Sequence, residues 1–443
     1  MTNHTRFIVL FAALSGTACT LDSTSVTHEI SAEQCAAATS WQAWTPYATG
    51  DVIAYGGEHY QCLQGHTSQP DWTPDAVRAL WQPVACSGDD APPPPPPDDE
   101  PPSPPDDDPP PPPPDGGTAP AGLLFSPYKD TSIHMDWNTN VISTLVPGTR
   151  TRLVDDLTAN GGKTITLAFA TGECGSESWG GVPGAAMASA NVPLLTAANV
   201  DYILSTGGAA GAFSCGSDAG FLAFLARWAS PNLIGVDFDI EAGQSQQMIG
   251  DLVRRIAAAH AAYPGLRFSL TLATLANNDG APAAHSLGAA APDSFNIHGD
   301  WTMAAMQSTF GPSWPSYVTV NLMTMDYGGP SPGVCVVSGG LCDMGQSALQ
   351  AAYNLHDHWG VPWENIELTP MIGGNDVQNE HFTLTDADAV AAFAIARQLA
   401  GVHYWSYDRD VDCAPGPASP TCNSLGGAGA HGFLRRFAAN GLH

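Results

Sequence analysis

The stretch that most constrains this chain is Leu233-Ile234-Gly235-Val236-Asp237-Phe238-Asp239-Ile240-Glu241. Its apolar, partly β-branched start reads as a buried parallel strand. Side chains two apart on a strand share a face. Asp237, Asp239 and Glu241 therefore line one side, while Phe238 and Ile240 face the other. Desolvation and mutual repulsion both oppose burying three like charges. Such a row titrates as a coupled set, and one member can be held protonated near neutral pH. Glu241 closes the run at the strand's C-terminal end, where a (β/α)8 barrel places its catalytic groups. A calcium site or a salt-bridged row on a half-exposed strand is the plainer alternative. The apolar residues before and within the row argue against it.

From Ala121 onward, strand-like and helix-like segments alternate. The strands expected are Gly122–Tyr128, Thr164–Ala170, Tyr202–Ser205, Leu233–Glu241, Arg267–Ala273, Val318–Met325, Ile366–Met371 and Val402–Tyr407. Met248–Ala262 and Asp386–Leu399 carry helical spacing. This α/β pattern fits one (β/α)8 barrel over residues 121–443. A doubly wound sheet would need a glycine-rich phosphate turn after an early strand, and Ser205-Thr206-Gly207-Gly208 does not have that form.

A net charge of -29 with 14 Lys and Arg excludes nucleic acid and anionic membranes as expected partners. Part of that charge lies in residues 87–120, which are almost entirely Pro, Asp, Gly and Ser. Proline blocks favour extended polyproline II and the Asp clusters repel one another, so this tract reads as a spacer. No internal stretch is long and apolar enough to span a bilayer. Arg6, the apolar run Phe7 to Leu14 and Ser15-Gly16-Thr17-Ala18 read as a signal peptide over residues 1–18. Cleavage before Cys19 would expose it for lipidation, although Gly16 stands where a large aliphatic residue is usual. A lipid-anchored protein on a bacterial outer surface and a freely secreted, extracellular one both remain open. A monomer is expected.

Ten cysteines in such a chain point to disulfides. Cys35 and Cys86 bracket the first unit, Cys335/Cys342 and Cys413/Cys422 are close pairs, and Cys174 and Cys215 each follow a candidate strand. Those pairings leave Cys19 and Cys62, the latter as a buried thiol. No compact His/Cys set suggests a metal, and no cofactor is expected.

Residues 31–86 form a small aromatic-rich β unit with short strand-like runs at Val52–Tyr55 and His59–Leu63. The run Tyr47-x-x-Gly50-Asp51-x-Ile53-x-Tyr55-x-Gly57-x-x-Tyr60-x-Cys62-x-x-x-His66-Thr67-Ser68-x-x-x-Trp72-x-Pro74, closed by Leu80-Trp81, resembles the family 5/12 chitin-binding modules. That resemblance implies that Trp72 binds the polymer, with His66 and Thr67 beside it. Tyr60 and Trp81 are expected in the small core.

Asp237-Phe238-Asp239-Ile240-Glu241 resembles the end of the D-x-x-D-x-D-x-E motif of family 18 glycoside hydrolases, the chitinases. Ile234 stands where the motif's first Asp would be. Ser205-x-Gly207-Gly208 resembles the S-x-G-G that ends the family's third strand. Met323-Thr324-Met325-Asp326 resembles its M-x-Y-D, with Met325 at the Tyr position and Tyr327 as a possible substitute. Trp405 matches the Trp that floors the reacting sugar.

The resemblance implies a retaining reaction in which the substrate's own 2-acetamido oxygen attacks the anomeric carbon. Glu241 would be acid and then base, Asp239 would hold the acetamido N–H, and Asp237 would modulate Asp239. Met323, Asp326 and Tyr327 would contact the sugar. The implied substrate is chitin or N-acetylglucosamine oligomers. About thirty residues separate the last two strands, so no extra domain walls the groove and internal cleavage is expected. Trp137, Trp179 and Trp314 are loop residues that could extend the groove. Cleavage of N-glycan cores is an alternative. A chitin-binding lectin ranks below both, because Glu241 is present.

Overall fold

A computed structural model describes residues 28–30, 35, 38–42, 45–48, 50–62, 66–68, 74, 81–86 and 122–443, except 242, 279–282, 285–289, 292–293, 312 and 417. The chain divides into two compact units, one within Met1–Asp98 and one within Asp99–His443.

The first unit is built on a five-stranded sheet. Its middle is the hairpin Val52–Tyr55/Glu58–Cys62, flanked by Thr39–Ser40 on one side and by Trp81–Cys86 and His28–Ile30 on the other. Gly56 and Gly57 both take positive φ (63° and 92°), the geometry that lets a two-residue turn follow the twist of its strands. Ile53, Tyr60, Cys62 and Trp81 are buried with Tyr47, whose ring meets Trp81 edge-on at 5.1 Å. So small a core benefits from the Cys35–Cys86 disulfide. Cys62 keeps its thiol inside the core.

The second unit is a closed (β/α)8 barrel. Its parallel strands are β1 (Leu124–Asp130), β2 (Thr164–Glu173), β3 (Asp201–Gly207), β4 (Leu233–Ile240), β5 (Arg267–Ala273), β6 (Val318–Thr324), β7 (Ile366–Pro370) and β8 (Gly401–Tyr404). Closure comes from β8 pairing β1 at Gly401↔Leu124 and β1 pairing β2 at Tyr128↔Thr166. The helices are α1 (Leu153–Ala159), α2 (Gly184–Ala197), α3 (Asp218–Trp228), α4 (Gln246–Ala262), α5 (Ile297–Phe310), α6 (Met344–Trp359), α7 (Leu384–Arg397) and α8 (Gly432–Ala439).

Local chemistry sets the helix starts. Ser217, Ser245, Asn296 and Asp343 each accept an N–H from the first turn of α3, α4, α5 and α6, and Thr383 forms a reciprocal capping box with Asp386 at α7. On α4, Ile249, Leu252, Val253, Ile256 and Ala259 are buried at helical spacing. Most expected strand ends shift by one to three residues, β2 for example running on to Glu173 and β3 to Gly207. β1 runs on to Asp130 because Lys129 is fully buried and paired with Asp408 at 2.5 Å. β8 stops at Tyr404, since Tyr407–Arg409 turn into a 3-10 helix.

The barrel floor is polar. Arg267 pairs with Glu367, and Glu367 meets His403 Nε2 at 2.9 Å. Burial, reinforced by the Arg267 charge, lowers His403 to about 4. Cys174–Cys215, Cys335–Cys342 and Cys413–Cys422 form as expected. All three staple loops on the side where the strands end. Among the described residues, no helix is long and apolar enough to cross a membrane.

Candidate active site

Strand alternation and parallel register together build the floor of the site. Asp237 sits level with Ser205 of β3 and Ser269 of β5. Four hydroxyls converge on its carboxylate. Tyr128 and Ser205 donate to Oδ2 at 2.9 and 2.6 Å, while Ser269 and Thr271 donate to Oδ1 at 2.7 and 2.6 Å. Asn321 of β6 donates to Tyr128 and Thr271, and Thr369 of β7 donates to Asn321. This is a fully satisfied buried network, so Asp237 is held in one orientation. Phe238 and Ile240 point the other way into the apolar layer, with Phe238 against Phe221 of α3 at 5.8 Å.

One step up the strand, Asp239 is 4% exposed and its Oδ1 has no hydrogen-bond partner within the protein. Burial raises it well above the ordinary carboxylate range, and the charges of Glu241 and Asp237 push further. Glu241 lies just past the end of β4, half-buried. Burial raises it from 4.5 to about 7. The Ala209 amide and the hydrogen bond with Asp239 oppose that rise, while the charges of Asp326 and Asp376 assist it. The two side chains hydrogen-bond to each other, so Asp239 and Glu241 hold a proton between them near neutral pH.

The backbone beside Asp239 explains the paired glycines of Ser205-Thr206-Gly207-Gly208. Gly207 has φ +92°, and a Cβ there would fall 2.2 Å from the Asp239 carbonyl oxygen. A Cβ on Gly208 would strike the Phe169 ring at 2.9 Å. Only glycine lets β3 pass so close.

Around this row, Trp405 stands half-buried at the end of β8 and stacks on Phe169 (centroids 5.5 Å, planes 20° apart), with Tyr128 at 6.2 Å. Tyr404 and Tyr407, its neighbours, are fully buried core residues. Asp326 follows β6 at φ 53°. Its Oδ1 accepts the amides of Asp376 and Val377 at 2.8 and 3.1 Å, and its own amide donates to Asn375 at 3.2 Å. Burial raises its carboxyl, and the nearby Asp376 charge adds to the rise. Met323 and Met325 are half-buried. Tyr327 is closed off from solvent, with its amide and that of Gly328 each 3.0 Å from Glu380.

Asp237, Asp239, Glu241, Asp326 and Trp405 thus gather at the strand ends. Sequence reasoning passed over Tyr128, Phe169 and Asp376. Tyr128, the Ser and Thr partners of Asp237 and Asn321 behind them had a readable signal, namely polar residues at inward positions of otherwise apolar strands. Trp179 departs from its expected groove role: it is 0% exposed and packs on Trp228 at 4.9 Å. Trp314 is half-buried against the core. In the small unit, His66–Thr67 form a strand paired with Pro46–Tyr47, and Trp72 lies outside the described residues. Among the described residues two His/Cys/carboxylate groups come together, Cys35/His59/Cys86 and Glu173/Cys174/Cys215. Their cysteines are tied up in disulfides, which removes the thiolates a metal would need.

Residues 40–82 match carbohydrate-binding module family 5/12. Chitinase Chi52 of Paenibacillus xylanexedens is 32% identical over 113 residues, 25% of this chain and 18% of that protein. Chitinase D of Niallia circulans is 31% identical over 146 residues, 31% of this chain and 22% of that protein. The chain therefore spans about a fifth of the length of these two relatives. The catalytic domain of a hyperthermophilic chitinase from Pyrococcus furiosus superposes with a TM-score of 0.54 at 23% identity, covering 74% of this chain and 99% of that one. That likeness is one of fold. The resemblance to chitinases joined to a chitin-binding module is borne out by these matches.

Proposed function

We propose that this chain is a secreted chitinase that cleaves β-1,4-linked N-acetylglucosamine polymers internally, with retention, using the substrate's acetamido group as nucleophile. The observation that carries the proposal is the pair at the end of β4. Glu241, raised to about 7, holds a proton to give, beside a buried Asp239 whose Oδ1 lacks a protein partner. A buried acceptor of that kind calls for a donor. The acetamido N–H of a sugar seated on Trp405 supplies one. Accepting it at Oδ1 turns the acetamido oxygen toward the anomeric carbon and stabilises the positive charge of the oxazolinium-like intermediate. Glu241 protonates the departing glycosidic oxygen and then takes a proton from the attacking water. Asp237, locked by four hydroxyls, lies beneath Asp239. Asp326 and Met323 border the reacting sugar, whereas Tyr327, expected there, is buried behind them.

The match to a family 5/12 module supports chitin as the polymer, with Trp72, His66 and Thr67 as its contacts. Residues 87–120 act as the tether. Between β7 and β8 there is one small hairpin, Gly373–Gly374 with His381–Phe382, and α7. A groove without a wall there suits internal cleavage. Four disulfides and the leader-like start of the sequence support export into oxidising surroundings.

Proton NMR of the first products tests the mechanism. N-acetylated oligomers should release the β-anomer first, and oligomers with a free amine at the reacting sugar should be inert, because an ammonium cannot attack. Early α-anomer, or steady hydrolysis of fully deacetylated oligomers, would remove Asp239 from its role.

A further inference from the structure

One buried acid near the site takes no part in the chemistry proposed above. Glu380 is 3% exposed and precedes His381–Phe382, the second strand of the hairpin after β7. Its two carboxylate oxygens accept separate backbone donors from the loop after β6. Oε2 takes the Tyr327 amide and Oε1 the Gly328 amide, each at 3.0 Å. The preceding amide, that of Asp326, donates to Asn375 Oδ1 at 3.2 Å. Asn375 is buried and is itself anchored through Nδ2 to the carbonyls of Met371 and Gly373. Three consecutive amides of one loop thus end on two side chains of the other.

The clasp is reciprocal. Asp326 Oδ1 accepts the Asp376 and Val377 amides at 2.8 and 3.1 Å. The segment that supplies them is closed on itself, because the Asn375 amide donates to the Glu380 carbonyl at 2.9 Å and the Glu380 amide to the Val377 carbonyl at 3.2 Å. Oδ1 of Asp326 is thereby committed, and Oδ2 is the oxygen left to meet a sugar. Asp326 also takes φ 53°. A residue other than glycine holds that left-handed backbone when its surroundings impose it. The run of amide bonds supplies the constraint.

The chemistry singles out a carboxylate at this position. Burial raises Glu380 to about 7 against the pull of the Tyr327 and Gly328 amides, and the Asp326 charge adds to the rise. A glutamine of the same size would accept one amide and turn its own NH2 on the other. The bond to Tyr327 is buried, so an amide left unmet there carries its full desolvation cost.

We infer that Glu380 is a positioning residue for the glycoside cleavage proposed above, fixing the Asp326 backbone so that the Asp326 side chain stands at one place against the reacting sugar. This rests on that activity. The Asp326 charge also helps to hold the proton on Glu241, so a displaced Asp326 is felt at the acid as well.

The test is a double-mutant cycle of Glu380→Gln and Asp326→Asn in the full chain, with kcat and KM measured on soluble N-acetylated oligomers. Asparagine tolerates the left-handed backbone and removes the charge that is to be placed. Glu380→Gln alone should lose roughly tenfold in kcat, with KM within about twofold of wild type. In the Asp326→Asn background it should cost less than about twofold. Equal losses in the two backgrounds would make Glu380 a support of the hairpin's fold and overturn the positioning role, as would an unchanged kcat. Hydrogen exchange on the wild type reads the clasp without any variant. The Tyr327 and Gly328 amides should exchange slowly, and rapid exchange of either overturns the inference while leaving the activity intact. A wild-type chain inactive on every oligomer overturns the activity reading and the role of Glu380 with it.

Discussion

Replacing Glu241 with Gln removes a titrating group whose proton the folded protein holds more tightly than the unfolded chain does. In the unfolded chain Glu241 titrates near 4.5, and in the folded barrel at about 7. Each tenfold gain in proton affinity is worth about 1.4 kcal/mol, so the whole gap would amount to about 3 kcal/mol. Glu241 is half-buried, and solvent screening reduces this to about 1–2 kcal/mol. The sign follows from linkage. A carboxyl raised on folding contributes its stability in full below the unfolded value, and loses it as pH rises through the folded one. Wild type should therefore weaken between pH 4.5 and about 7. Glu241→Gln should match wild type at the acid end and exceed it above neutrality by about 2–5 °C in thermal midpoint. Asp239 acts in the same direction, because losing the Glu241 charge lowers its raised carboxyl. Thermal unfolding of both proteins across a pH series reads this directly. Parallel stability curves at all pH values would show that Glu241 is not held protonated by the fold. Its standing as general acid would then lose its physical basis. The same variant should lose nearly all hydrolysis, and wild-type kcat/KM should fall as pH rises past about 7, when the acid is spent.

Gly207→Ala should cost about 2–4 kcal/mol and most activity, since a Cβ 2.2 Å from the Asp239 carbonyl forces β3 and β4 apart; urea unfolding that matches wild type would contradict the geometry. Removing residues 31–118 should lower activity on insoluble chitin and leave soluble oligomers nearly unaffected, because a tethered binder raises local concentration without touching the site. Equal loss on both substrates would mean that the module supports the barrel's fold.

What the sequence disclosed and what it withheld follow from the range of the interactions involved. The eight barrel strands were legible because burial on both faces writes itself locally, as runs such as Val318-Thr319-Val320 and Leu270-Thr271-Leu272. Their ends were less so. No local rule extends a strand through Lys129, which is buried only because Asp408 lies 279 residues away in sequence and 2.5 Å away in space. The aromatic run Tyr404 to Tyr407 looks like strand, yet Trp405 is turned onto Phe169 instead. The carboxylate row was legible for the same reason as the strands: alternation is a local property, and three acids within it have no bland apolar use. What sets Glu241 apart from Asp237 is not local. Asp237 accepts hydroxyls from β1, β3 and β5, whereas Glu241 faces Asp326 and Asp376 from the loops after β6 and β7. Two acids four residues apart thus acquire different surroundings from neighbours that only barrel closure brings together. The row of acids is written in one segment, while the groups that raise Glu241 are spread over the fold.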